Sequence, residues 1–232
     1  MSNLYSIAGL IVEMNAENRT AKQAEPYRFE GQADPDIKMI GTHHGYHKKH
    51  SHLSYEDAEY INTCREFNYK LIDFDGMMLH SSAVVVDDRA YLFSAASGTG
   101  KSTHTELWLQ KFGDRAYILN DDKPAIRQIN GVWHACGTPW SGKYDLSKPT
   151  CVPLAGIAFL NRDTTNHIER YTGPMVAFEL MNQTLRREEK MEKTLAVMAR
   201  IAQEVPIWKL FCNMDLEAAE VAYNAMSGNV KE

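Results

Sequence analysis

The sequence predicts an α/β domain whose mixed sheet has antiparallel hairpins flanking a small parallel core. Three observations lead there. The chain has 232 residues, 44% hydrophobic and 24% charged, an ordinary globular balance in a chain long enough to bury one core with a small appendage. Short β-branched or aromatic runs alternate with segments of helical periodicity, most clearly in the second half. Between one such run and one such segment lies the glycine-rich stretch Ser97-Gly98-Thr99-Gly100-Lys101-Ser102-Thr103. The patterning sharpens near Asp73, which divides the chain into a small N-terminal β/α extension, 1–72, packed on a core domain, 73–232.

In the extension, residues 5–13 alternate weakly and read as one strand, and residues 27–30 as another. Residues 43–52 hold five of the nine histidines, His43, His44, His47, His50 and His52. On a helix their spacings would gather a metal, but Gly41 and Gly45 disfavour one and Lys48 and Lys49 add positive charge, so a solvated basic loop is expected. Ser54 followed by Glu56 and Asp57 suits the start of a helix over 54–66.

In the core domain, residues 83–86 and 90–93 form a hairpin about Asp87-Asp88-Arg89. A helix runs over 103–112 and stops at Gly113. Residues 116–119 make a strand ending in Asn120-Asp121-Asp122. Residues 132–136 belong to a further hairpin, and 156–160 to a buried strand. Met191, Leu195, Met198 and Ala202 recur at helical spacing as a core stripe, with Pro206 at its end. The charged run 186–193 reads as that helix's solvated face, with Glu189 and Lys193 placed for an i,i+4 pair. Residues 207–211 are a strand, and Asp215 caps a closing helix that reaches Met226 before Gly228.

Composition excludes several function classes. Twenty-five basic against 30 acidic side chains give a net charge of −5, and a pI near 6.0 argues against nucleic acid as partner. No apolar run approaches the ~18 residues of a membrane helix. The apolar run 7–12 has no basic region before it, so no signal peptide is expected. Cys64, Cys136, Cys151 and Cys212 are widely spaced with no CxxC pair, which reads as reduced, buried thiols in a cytoplasmic protein.

The glycine stretch carries chemistry. Gly98-x-Gly100-Lys101-Ser102 between a strand and a helix is a phosphate-binding loop. A polyphosphate needs many backbone N–H groups aimed at it, and glycines let the backbone turn tightly and approach closely. The helix starting near Lys101 adds its positive end. Lys101 supplies a point charge for the β and γ oxygens, and the Ser102 hydroxyl is placed to ligate magnesium. The strict pattern has a glycine where this chain has Ala95, and alanine disfavours positive φ there. Asp121 and Asp122 follow Ser102 by 19 and 20 residues, room for a single helix between parallel strands, which would bring both carboxylates to the loop's mouth. One carboxylate would hold magnesium, and the other would accept a hydroxyl proton.

Leu79-His80-Ser81-Ser82, the loop to Ser102, and Leu119-Asn120-Asp121-Asp122 together resemble the kinase domain of bacterial HPr kinase/phosphorylase. They are more distantly similar to the nucleotide-binding part of ATP-dependent phosphoenolpyruvate carboxykinase. The resemblance covers residues 73–127 well and extends loosely to 210. It implies a P-loop kinase fold of that type, with ATP and Mg²⁺ as cofactors. It further implies His80 as the histidine assisting the catalytic aspartate and Asp122 as the proton acceptor. Two departures stand out. The family's additional N-terminal domain is much longer than 1–72, and its second metal-ligating glutamate has Pro153 as nearest counterpart, which cannot ligate.

The expected activity is transfer of the γ-phosphoryl group of ATP to a serine-type hydroxyl on a peptide, protein or small molecule. Ser97, Gly98, Thr99, Gly100, Lys101, Ser102 and Thr103 would bind the nucleotide. Ser102 and Asp121 would hold the metal, and Asp122, His80 and Lys101 would be catalytic. The assignment between the two aspartates stays open, as does association into a homo-oligomer. A second glycine-bearing stretch, Gly137 to Lys143, could close over the acceptor with Trp140 and Lys143. The competing reading is a nucleotide-binding regulatory protein that has lost catalysis.

Overall fold

The computed structural model describes residues 3–39 and 43–228, with the side chains of residues 43 and 44 outside the description. β1 (Asn3–Ile7) and β2 (Leu10–Met14) pair antiparallel. The single strand expected over 5–13 is therefore a hairpin. Ala8 and Gly9 turn it with φ of 54° and 72°; glycine takes that conformation freely, whereas alanine adopts it at a cost. After α1 (Asn18–Ala24), residues 27–30 form no strand: Pro26 starts a 3₁₀ turn over Glu25–Tyr27, and Arg28 makes an isolated bridge to Tyr5. β3 (Ile37–Met39) adds parallel to β2.

The histidine segment is helical, as α2 (His43–Lys49), in spite of Gly45. A single exposed glycine costs only about 1 kcal/mol of propensity, and the Tyr46 ring packs tilted against His50 with centroids 4.2 Å apart. α3 (Tyr55–Leu71) begins where expected, with the Ser54 hydroxyl accepting from the Asp57 amide at 3.0 Å. It runs five residues past Glu66 because Phe67 and Leu71 continue its buried face.

The main sheet is built from β4 (Gly76–Met78), β5 (Ser81–Val86), β6 (Arg89–Ser94), β7 (Ala116–Asp122), β8 (Ala125–Ile129), β9 (Val132–Cys136), β10 (Cys151–Arg162), β11 (His167–Arg170) and β12 (Ile207–Cys212). Its helices are α4 (Lys101–Phe112), α5 (Met175–Asn182), α6 (Met191–Glu204) and α7 (Leu216–Met226). The order is β4-β8-β9-β10-β6-β5-β7, with β12 on β10 and β11 outside β12. β10 is parallel to both β6 and β12, and β5 is antiparallel to both β6 and β7. Thus β6 and β7 run the same way, as the helix between them requires, but β5 separates them. The β5–β6 hairpin is long enough to insert its first strand, and the carboxyl ends of β6, β7, β10 and β12 still share one edge.

Three buried clusters cover this frame. α4, through Trp108, and α7 close one face over Tyr91, Phe93 and Ala158, and α5 and α6 close the other over Leu92, Ile157 and Phe159. The third cluster joins β1, β2 and α3 to Met78, Ala125, Cys136 and Trp140, so the N-terminal residues share apolar core with the main sheet.

Four expectations about the second half are corrected in whole or in part. On α6 the expected stripe holds in part: Met198 is buried and Ala202 packs against the core, but Leu195 is 42% exposed, and Thr194, Val197 and Ile201 complete the buried face. Glu189 pairs with Arg187 at 3.0 Å and Lys193 with Asp73 at 2.7 Å, so the i,i+4 pair does not form. Asp215 stands at the α7 cap position, but its carboxylate takes an N–H from Asn213 instead. Cys136 and Cys151 sit directly opposite across β9 and β10 and are disulfide-bonded, while Cys64 and Cys212 are free. Sequence spacing cannot reveal a cross-strand pairing set by register. Among the described residues no helix is long and apolar enough to cross a membrane.

Candidate functional site

β6 delivers the chain into the glycine loop, and α4 starts at Lys101 with Gly100 as its N-cap. The loop takes positive φ at Gly98 (78°) and Gly100 (119°). A Cβ at Gly100 would meet open space, so glycine is required there by conformation rather than by crowding. Ala95 is not among the positive-φ residues, so the alanine that departs from the strict pattern carries no backbone penalty. Lys101 Nζ donates to the Ala95 carbonyl at 3.0 Å and reaches the Ala96 carbonyl at 3.5 Å. Burial lowers its pKa, against the opposing pull of Asp122.

The carboxylates come to the loop. Ser102 Oγ lies 3.0 Å from both Asp121 oxygens. A hydroxyl and a carboxylate converging this closely are hard oxygen donors of the kind magnesium takes, completed by phosphate oxygens and water. The donor set fits the ion. Asp122 has φ of 149°, a conformation costing of order 1–3 kcal/mol for a residue other than glycine. Its Oδ1 accepts from Lys123 Nζ at 2.9 Å and lies 3.4 Å from His80 Nε2.

His80 sits in the short link between β4 and β5, rather than inside a strand. Its amide donates to the Gln183 carbonyl at 2.7 Å, and its Nδ1 is 3.1 Å from Gln183 Oε1. The ring therefore faces an acceptor on each side. Burial first, then Lys123 and Lys101, hold its pKa below the ordinary histidine value. The neutral ring has one proton for two acceptors, so the Asp122–His80 pair has room for one proton more. Because the folded-state pKa is depressed, stability is full above the ordinary value of about 6.5 and is lost as pH falls from there through the lower folded-state pKa. An NMR titration of the His80 ring should give a midpoint below 6.5, and Lys123→Met should move it part of the way back. An unmoved midpoint in the variant would remove Lys123 from this cluster.

His80, Ser97, Gly98, Gly100, Lys101, Ser102, Thr103, Asp121, Asp122 and Lys143 line one cavity of about 460 Å³. Thr99 lines a neighbouring cavity of about 530 Å³, which shares Gly98, Gly100 and Thr103 and is walled by Leu107, Leu160 and Met214. Trp140 is elsewhere. It is fully buried, stacked on Phe67 at 5.0 Å, with its indole N–H donated to Thr63 at 3.1 Å. It anchors the segment that carries Lys143 and does not face the cavity.

Side chains far off in sequence complete the site. Gly142 has φ of 70°, and a Cβ there would come within 3.0 Å of the Asp121 carbonyl and the Asp122 side chain. Arg19 donates to the Gly142 carbonyl, and the Gly142 amide donates to Tyr60 Oη at 3.0 Å. α1 and α3 thus hold this segment against the carboxylates. Lys123 was signalled only by its place after Asp122, and Arg19, Tyr60 and Gln183 by nothing in the sequence. His43 and His44 lie outside the described side chains, and His47, His50 and His52 do not line the cavity. His47 packs edge-on to Tyr55, and among the described residues no cluster of three or more His, Cys, Asp or Glu side chains could hold a metal.

No family model matches the chain, and no curated protein matches it. Among solved structures it is similar to the HPr(Ser) kinase/phosphatase from Coxiella burnetii, at 13% identity and a TM-score of 0.37, over 66% of this chain and 94% of that one. A likeness of that size carries no functional weight.

Proposed function

We propose that the chain is a magnesium-dependent phosphotransferase that moves the γ-phosphoryl group of ATP to a hydroxyl-bearing acceptor. One observation carries the reading: the glycine loop, Lys101, the Ser102–Asp121 pair and the Asp122–His80 pair all line one cavity. Each is a part that phosphoryl transfer needs, and a cavity that only sensed a nucleotide would have no use for a proton acceptor.

In this reading the β and γ phosphates lie in the loop of residues 97–103, against backbone N–H groups and Lys101. The nucleoside extends into the adjoining cavity beside Leu107 and Leu160. Magnesium, held by Ser102 and Asp121, would neutralise charge on the phosphates when bound. The acceptor hydroxyl approaches Asp122 in line with the γ phosphorus. Its oxygen forms the new P–O bond while the bond to the β-phosphate oxygen breaks, and its proton passes to Asp122. His80 receives or shares that proton, and Gln183 fixes the ring. Lys143 faces the same space and offsets charge on the moving group. Residues 1–72 act as the extension that steadies this segment through Arg19 and Tyr60.

Magnesium titration of nucleotide binding by calorimetry tests the metal assignment. Asp121→Asn should raise the magnesium needed for half-maximal binding by about tenfold, since it replaces the one charged protein ligand with a neutral amide. An unchanged magnesium dependence would take Asp121 out of the site.

A further inference from the structure

We infer that Arg162 is a positioning residue that preorganises the glycine loop for its anionic ligand. The ligand's identity rests on the phosphotransferase reading, whereas the effect on the loop does not. Arg162 ends β10 and reaches back across the loop. Its Nε donates to the Thr99 carbonyl at 3.0 Å and its Nη2 to the Gly98 carbonyl at 2.5 Å. From the other flank Lys101 Nζ holds the carbonyls of Ala95 and Ala96. Two cations therefore grip four carbonyls of a six-residue turn.

The consequence follows from peptide geometry. In a trans peptide the C=O and the next residue's N–H point in opposite directions. Fixing the Gly98 and Thr99 carbonyls toward the guanidinium turns the N–H groups of Thr99 and Gly100 to the far side. Thr99 spends its N–H on the Ala96 carbonyl at 3.2 Å, which closes the turn. Among the described residues no acceptor meets the Gly100 N–H, so it remains for a ligand. Glycine at 98 and 100 leaves these peptide planes free to flip, and a flipped plane would present a carbonyl to the anion. A planar guanidinium spans two successive carbonyls, while an ammonium meets them as a point. Arg162 also lines the cavities on both flanks of the loop, which places it at the loop's hinge with the sheet.

Only the clasped fraction of the loop binds, so apparent affinity falls in proportion to that fraction. Arg162→Ala should weaken binding of inorganic triphosphate and of ATP by the same factor, about tenfold, with a melting temperature near that of the unaltered chain because the side chain is exposed. Arg162→Lys should recover part of the loss. Without any ligand, amide hydrogen exchange at Thr99, whose N–H closes the loop on the Ala96 carbonyl, should be faster in Arg162→Ala. Unchanged exchange would overturn the proposal, as would a loss confined to ATP, which would make Arg162 a nucleoside contact. If the unaltered chain binds neither ATP nor triphosphate, the phosphotransferase reading fails, and the exchange rates still decide the clasp.

Discussion

Lys101→Ala should abolish most nucleotide binding, the largest single effect on affinity in the chain. Lys101 is half-buried at the start of α4, with its ammonium already 3.0 Å from the Ala95 carbonyl and inside the cavity that Asp121 and Asp122 share. A polyphosphate there would lose water and gain this charge in return. Removing one partner of such a charge pair typically costs about 2–5 kcal/mol, which at about 1.4 kcal/mol per decade is at least about thirtyfold in affinity. The fold should be unaffected, because the side chain lies outside the three apolar clusters. Calorimetry with Mg-ATP checks the expectation. An affinity within about threefold of the unaltered chain would show that the loop is a glycine turn and no anion site.

Asp122→Asn should lower transfer to the acceptor by at least about a hundredfold and leave nucleotide affinity nearly intact. An alcohol barely ionises at neutral pH, and a positioned base contributes ~10²–10⁴-fold; a loose phosphoryl transition state puts the effect toward the low end of that range. The side chains of Asp121 and Asp122 have separate work in the structure, the first on Ser102 and the second on Lys123 and His80. Affinity and turnover should therefore separate between the two variants. His80→Ala should cost less than Asp122→Asn, because the ring acts through the carboxylate. Normal turnover in Asp122→Asn with a dead Asp121→Asn would exchange the two roles.

The parts of the candidate site that are contiguous in sequence were legible there as neighbours of one cavity. Loop, lysine, serine and paired aspartates each sit on a strand end or a helix start, and local signals mark such places. The way they meet was less legible. That β5 lies between β6 and β7 depends on where a hairpin inserts, which no local pattern records. The Cys136–Cys151 bond depends on the register of β9 against β10, and the buried face of α6 on which neighbour it meets. Trp140 looked like a loop residue because glycine and proline surround it, yet Phe67 and Thr63 of α3 bury it. Arg19, Tyr60, Arg162 and Gln183 reach the site from 63 to 123 residues away in sequence. Only the folded sheet edge brings them together.

The central claim is that this cavity transfers a phosphoryl group to a hydroxyl. It is tested most directly by ³¹P NMR of the full chain with Mg-ATP and a panel of hydroxyl-bearing peptides and small molecules. The account predicts an acid-stable phosphomonoester resonance growing in step with ADP, and slower by at least about a hundredfold in Asp122→Asn. ATP that stays intact across the panel, or yields only inorganic phosphate at the same rate in both proteins, would contradict it.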